Sequence, residues 1–195
     1  MKRLLATLAA IVCCSMISTV FTACSDDDDN NSGDNMKPVA AILYYNMNVG
    51  DDMFAALDLT IEYYDADGKL QSEKMTAKEW EKNIRTQKLP VTFGARLKAQ
   101  LKAGFDVTSG EKFIAEYGYG YWGGAVNAAG EAVSTPAVNT SAHRMTMRVG
   151  EIAEWLERHP DGIVKFKWNI DANGKTTEGD WSVNAEGRSM GDSWE

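Results

Sequence analysis

A mainly β fold, two antiparallel sheets packed as a sandwich with one or two short helices, is what three features of this chain predict. Apolar and polar residues alternate with a period of two over several stretches, a turn of the form Asp/Asn-x-x-Gly recurs between such stretches, and only one stretch carries a clear helical stripe. Residues 37–195 are expected to form a single domain, long enough to bury a core of its own.

The elements follow in order. Val39-Ala-Ala-Ile42-Leu43-Tyr44-Tyr45 is rich in strand formers and opens the domain. In Leu57-Asp58-Leu59-Thr60-Ile61-Glu62-Tyr63-Tyr64 the apolar residues take every second place, so Leu57, Leu59, Ile61 and Tyr63 are expected to face the core. Asp65-Ala-Asp67-Gly68 then reads as a hairpin turn, and the same form returns at Asn127–Gly130 and Asp171–Gly174. Glycine supplies the positive φ that closes such a turn, and the leading Asp or Asn bonds the backbone two residues on. Asp65-x-Asp67-Gly68 also opens like a calcium loop, but the remaining acids of that pattern are missing.

Thr76-Ala77-Lys78-Glu79 has the form of a capping box, and Trp80 and Ile84 lie one helical turn apart, so a short helix is predicted over 76–85. After Pro90 the run Val91–Lys102 alternates over its whole length and predicts the strongest strand. Phe113–Trp122 sets Phe113, Ala115, Tyr117, Tyr119 and Tyr121 on one face and Trp122 on the other, and His143–Val149 alternates in turn. Gly150–Arg158 predicts the helix: Ile152, Trp155 and Leu156 make one stripe, acids come early, Arg158 comes late, and Pro160 stops it. Ile163–Ile170 and Thr176–Val183 predict a last hairpin across the Asp171 turn. The resulting pattern is similar to immunoglobulin-like and jelly-roll sandwiches, between which it does not choose.

The N-terminus predicts an address. Met1-Lys2-Arg3 precedes an uncharged run from Leu4 to Phe21, the basic and apolar regions of a signal peptide spanning residues 1–23. Thr22 and Ala23 lead into Cys24. This resembles the bacterial lipobox, with Phe21 where leucine is usual, and the resemblance implies a diacylglycerol on the Cys24 thiol of a mature chain that begins there. Ser25, Asp26, Asp27, Asp28 and Asp29 follow directly, and resemble the export signal of Bacteroidota surface lipoproteins. That implies a protein anchored by lipid in the outer membrane and facing the extracellular side. Residues 24–36 contain nothing to bury before Met36 and read as a flexible acidic tether.

Charge and cysteine usage exclude several classes. Cleavage after residue 23 removes Lys2 and Arg3 and no acid, taking the formal charge from −8 to −10, and no basic cluster offers a nucleic-acid footprint. Cys13, Cys14 and Cys24 all precede the domain, which therefore has neither a disulfide nor a catalytic thiolate. His143 and His159 lie on separate segments without zinc spacing, and no GxSxG elbow names a nucleophile. No catalytic residue, metal or cofactor is predicted, and His143 reads as structural.

One run stands out as a candidate ligand surface: Tyr117, Tyr119, Tyr121 and Trp122, interleaved with glycines that leave ring faces uncovered. Sugars lay their C–H faces on such rings. Tyrosines packed in the core beside a closely approaching strand are the competing explanation. The functional expectation is a non-catalytic surface module that binds an extracellular glycan or protein. The alternative is an accessory subunit of an outer-membrane or fimbria-like assembly, joined by strand addition.

Overall fold

The computed structural model describes residues 36–181, so Cys24 and the acidic run after it lie outside the described residues. Among these residues nine strands form two antiparallel sheets. They are β1 (Ala40–Val49), β2 (Leu57–Tyr64), β3 (Leu70–Lys74), β4 (Glu79–Thr86), β5 (Val91–Leu101), β6 (Lys112–Val126), β7 (Ala137–Arg148), β8 (Val164–Ile170) and β9 (Thr176–Glu178). The first sheet has the order β4-β1-β6-β7 and the second β3-β2-β5-β8-β9. Short helices α1 (Asp51–Ala56) and α2 (Ile152–Glu157) join strands of opposite sheets.

Alternation dictates the core. Leu57, Leu59 and Ile61 are buried as their spacing requires, and face the similarly buried Leu43, Tyr45 and Met47 of β1. Tyr45, wholly buried, sits at the centre with the rings of Tyr63, Trp80, Phe93 and Phe166 all 6.1 to 6.4 Å away. Its hydroxyl donates to the Tyr64 carbonyl at 3.1 Å, so the one polar atom it carries inward is satisfied. Helix α2 closes one end of the sandwich with Ile152 and Trp155 buried.

The turns are built as their sequences require. Asp65 Oδ1 accepts from the amides of Asp67 and Lys69 at 2.8 and 2.9 Å, Asp171 Oδ1 repeats both bonds at the same distances to Asn173 and Lys175, and Gly68 and Gly174 have φ of 73° and 82°. The Asp65 carboxylate is thus engaged by the backbone.

Two expectations are corrected. Residues 79–86 form strand β4, not a helix over 76–85. Trp80 and Ile84 are four apart, and four is even, so the same pair shares a strand face. There Trp80, Lys82 and Ile84 pair with Met47, Tyr45 and Leu43, which a helix could not cover along their whole length. The second helix is instead α1, where Asp51 and Asp52 occupy the first turn. The strand predicted over Thr176–Val183 ends at Glu178 as β9, Trp181 crosses to the outer face of the second sheet, and Ser182 and Val183 lie outside the described residues.

The two long sides of the sandwich differ. On the β3/β4 side, Glu73 of one sheet accepts from Tyr63 Oη at 2.7 Å and Trp80 Nε1 at 3.0 Å and pairs with Lys82 at 2.8 Å, clasping the sheets together. Burial alone would raise the pKa of Glu73, but the bonds from Lys82, Trp80 and Tyr63 outweigh it and hold the carboxyl down at about 2, against 4.5 when unperturbed. Its stabilisation is therefore complete above the unfolded value and disappears as pH falls from 4.5 through about 2. Because its side chain is 37% exposed, solvent screening limits the contribution to about 1 kcal/mol. Glu73→Gln is expected to lose that amount at neutral pH and to flatten the acid limb of a stability–pH curve measured by urea unfolding. A limb superimposed on the parent's would remove the clasp.

Candidate functional site

Among the described residues the opposite long side is open. Strand β7 borders the first sheet, but the second sheet ends there in β9, whose three residues reach only Trp168, Asn169 and Ile170 of β8. The inner face of β6 and β7 therefore extends past the sheet that should cover it.

Register determines what lies on that strip. Tyr121, Tyr119 and Tyr117 of β6 stand opposite Asn139, Ser141 and His143 of β7, and the period of two points all six to the same side. Tyr121, at 7% exposure, belongs to the core: its ring stacks on Phe166 at 4.2 Å with planes 22° apart. Tyr119 is half-buried, stacking on Phe166 at 5.9 Å from one direction and lying 6.3 Å from the nearly parallel His143 ring on the other. Tyr117 stacks on His143 at 5.0 Å. Burial pushes the Tyr117 and Tyr121 phenols above the ordinary tyrosine range.

Polar groups alternate with these rings. The Asn139 amide donates to Tyr119 Oη at 3.5 Å, and Ser141 Oγ lies 3.0 Å from His143 Nε2. Strand geometry makes the second pair, since residues two apart share a face, and Ser-x-His on an edge strand is the signal from which it could have been found. His143, expected to be structural, is exposed with one face against Tyr117. The pair does not by itself make a hydrolase, which also needs a third group to orient the imidazole and donors for an oxyanion.

The four aromatics singled out in the sequence are thus separated. Tyr117 and Tyr119 lie on the open strip, Tyr121 behind them in the core, and Trp122 on the outer face beside Tyr44. The intervening glycines serve that outer face: Gly118 and Gly120 leave the room in which the Asn48 and Asn46 side chains lie across β6. Asn139 and Ser141 join the site through pairing that local sequence does not reveal.

Beyond Tyr117 the strip deepens into a groove of about 440 Å³ between β7 and α2. Met145, Met147, Tyr117 and Trp155 line its apolar part, and Glu154 and Arg158 stand at its rim. The His159 imidazole packs 5.4 Å from Trp155, its Nδ1 lying 2.7 Å from the Trp155 carbonyl. A carbonyl only accepts, so Nδ1 carries the proton, and in the neutral ring Nε2 is an acceptor. Among the described residues no group of three or more His, Cys, Asp or Glu side chains is placed to hold a metal ion.

Compared with protein-family models, with curated proteins and with solved structures, the chain matches none.

Proposed function

We propose that this protein is a lipid-anchored module displayed on the outside of the outer membrane, where it binds glycan on the open strip of its sandwich and performs no chemistry. The single observation that carries the glycan reading is the alternation of ring faces with hydrogen-bonding groups across Tyr119, Tyr117, His143, Asn139 and Ser141. A pyranose has the complementary make-up, with C–H groups for the parts of the Tyr117, Tyr119 and His143 rings that their mutual stacking leaves exposed and hydroxyls for the amide, hydroxyl and imidazole. The lipobox-like Cys24 and the acidic residues behind it support the location.

The test joins location to binding. Protease added to intact cells is expected to shave the domain away, and the purified domain is expected to be retained on a glycan array. Tyr119→Ala should weaken retention about tenfold, the equivalent of roughly 1.4 kcal/mol of lost ring contact, with the domain still folded though less stable by the packing its ring makes on Phe166. Tyr121→Ala is no substitute, because it opens the core. Unchanged retention of Tyr119→Ala would remove the site, and resistance to the protease would remove the location.

A second reading, an accessory subunit joined to a protein neighbour by strand addition, is favoured by the free edge of β7. Glycan on the inner face and a strand on the edge would occupy different parts of β7.

A further inference from the structure

We infer that the free edge of β7, together with the groove between β7 and α2, accepts an extended peptide segment of a partner protein in which apolar residues alternate with acidic ones. The inference deepens the accessory-subunit reading and rests on it; the groove shares Tyr117 with the glycan strip but is tested apart from it, through Met145 and Met147.

Among the described residues the sandwich has four edge strands, and three are protected. Strand β9 has three residues. Strand β3, Leu70-Gln-Ser-Glu-Lys74, is short and polar, and β4 carries Glu79, Glu81, Lys82 and Arg85 in eight residues. Short length and charge are the usual guards against strand pairing. Strand β7 has twelve residues, Ala-Val-Asn-Thr-Ser-Ala-His-Arg-Met-Thr-Met-Arg, without an acid or a proline, and among the described strands only β6 pairs with it. In an antiparallel ladder every second residue turns its N–H and C=O away from the existing neighbour, so β7 presents a row of donors and acceptors along its other side as far as Arg148, whose N–H already donates to Glu151 Oε2 at 2.8 Å.

The groove provides what an edge alone lacks, which is selection of side chains. A peptide laid beside β7 points alternate residues to the inner side, where Met145 and Met147 face Trp155 across about 440 Å³. Methionines adapt their shape to varied apolar side chains, and an edge strand flanked by such a pocket is the general arrangement for strand addition. Residues between these point to the outer side, where exposed Arg144 is the main cation and Arg148, also exposed, has the Glu151 carboxylate on its own backbone amide. Arg144 meets its nearest acid, Glu116, at 3.4 Å with its side chain 56% exposed, so it remains accessible to a second carboxylate. Opposite charges directly across a strand pair are favourable, and acids at the outward positions follow.

The experiment titrates the full chain with a synthetic eight-residue peptide alternating Glu and Ile, following the intrinsic tryptophan fluorescence and the heat of binding. Saturable binding is expected. A Lys/Ile peptide and a Glu/Ile peptide scrambled to break the alternation should bind at least tenfold more weakly. N-methylation of one alternate set of peptide amides should abolish binding while methylation of the other set leaves it, since only one set faces β7. Met145→Lys should weaken binding at least tenfold with unchanged melting, and Met147→Lys gives a second reading of the groove. Equal binding of the two methylated peptides, equal binding of the scrambled peptide, or no binding up to about 1 mM overturns the inference. A dimer that Met145→Lys converts to a monomer would also overturn it, assigning the edge to a second copy of the chain. Crosslinking to a fixed neighbour on intact cells through another face, with no peptide bound, would remove the inference and leave the accessory-subunit reading standing.

Discussion

Gly123→Ala is expected to destabilise the domain by about 3 kcal/mol, at the upper end of what overpacking costs, and to lower its melting temperature by roughly 10 °C. Gly123 stands on the inner face of β6, where a Cβ would land within the ring of Phe93 from the opposite sheet. Phe93 is wholly buried, with Tyr45 at 6.4 Å and Tyr121 at 6.4 Å, so the ring has no vacant direction in which to yield. The glycine is a socket and Phe93 the plug. Phe93→Leu alone should cost about 2 kcal/mol through the space it leaves. Combined with Gly123→Ala it should cost less than the two losses added, by about 1 to 2 kcal/mol, because the new methyl group fills part of that space. Urea unfolding of the four proteins measures the difference, and strict additivity would mean that the two residues do not meet.

Arg96→Ala is expected to cost about 3 kcal/mol, although the residue lies on the outer face of its sheet. Arg96 Nε donates to Glu62 Oε2 at 2.6 Å, with the two side chains only 10% and 16% exposed, and the guanidinium carbon lies 4.9 Å from the Trp181 ring that covers them. Lys98 shares the Glu62 carboxylate at 3.2 Å. Burial pushes the Glu62 pKa up, but bonds from Arg96 and Lys98 outweigh it and hold the group below its ordinary value. Removing Arg96 leaves a poorly solvated carboxylate with one remaining cation and takes away the surface on which Trp181 rests. Arg96→Met combined with Glu62→Met should recover most of the loss, since no charge is then stranded. Equilibrium unfolding decides: a double variant as unstable as Arg96→Ala would show that packing, not charge, is at stake.

How much of this was legible in the chain depended on whether the governing contact is local. Strand β2 runs over the eight residues whose alternation defined it, and the Asp65 and Asp171 turns close as written, because the pleat and the turn are decided by neighbours in sequence. Thr76–Arg85 failed for an identifiable reason: Trp80 and Ile84 satisfy both periods, and the deciding partner, β1, lies more than thirty residues away. The candidate site was half visible. Alternation placed the three tyrosines together, yet how far each is covered depends on where β9 stops, in a different part of the chain. The same limit applies to Trp181, which looked like a strand residue and instead roofs an ion pair.

The unequal long sides give the sandwich a spine and a fore-edge. Glu73 ties the two sheets together along one long side, and no such tie between sheets is described at β7, so a parting of the sheets would hinge on the Glu73 side. A change at the fore-edge is therefore expected to disturb the packing of the two sheets less than a change at the spine.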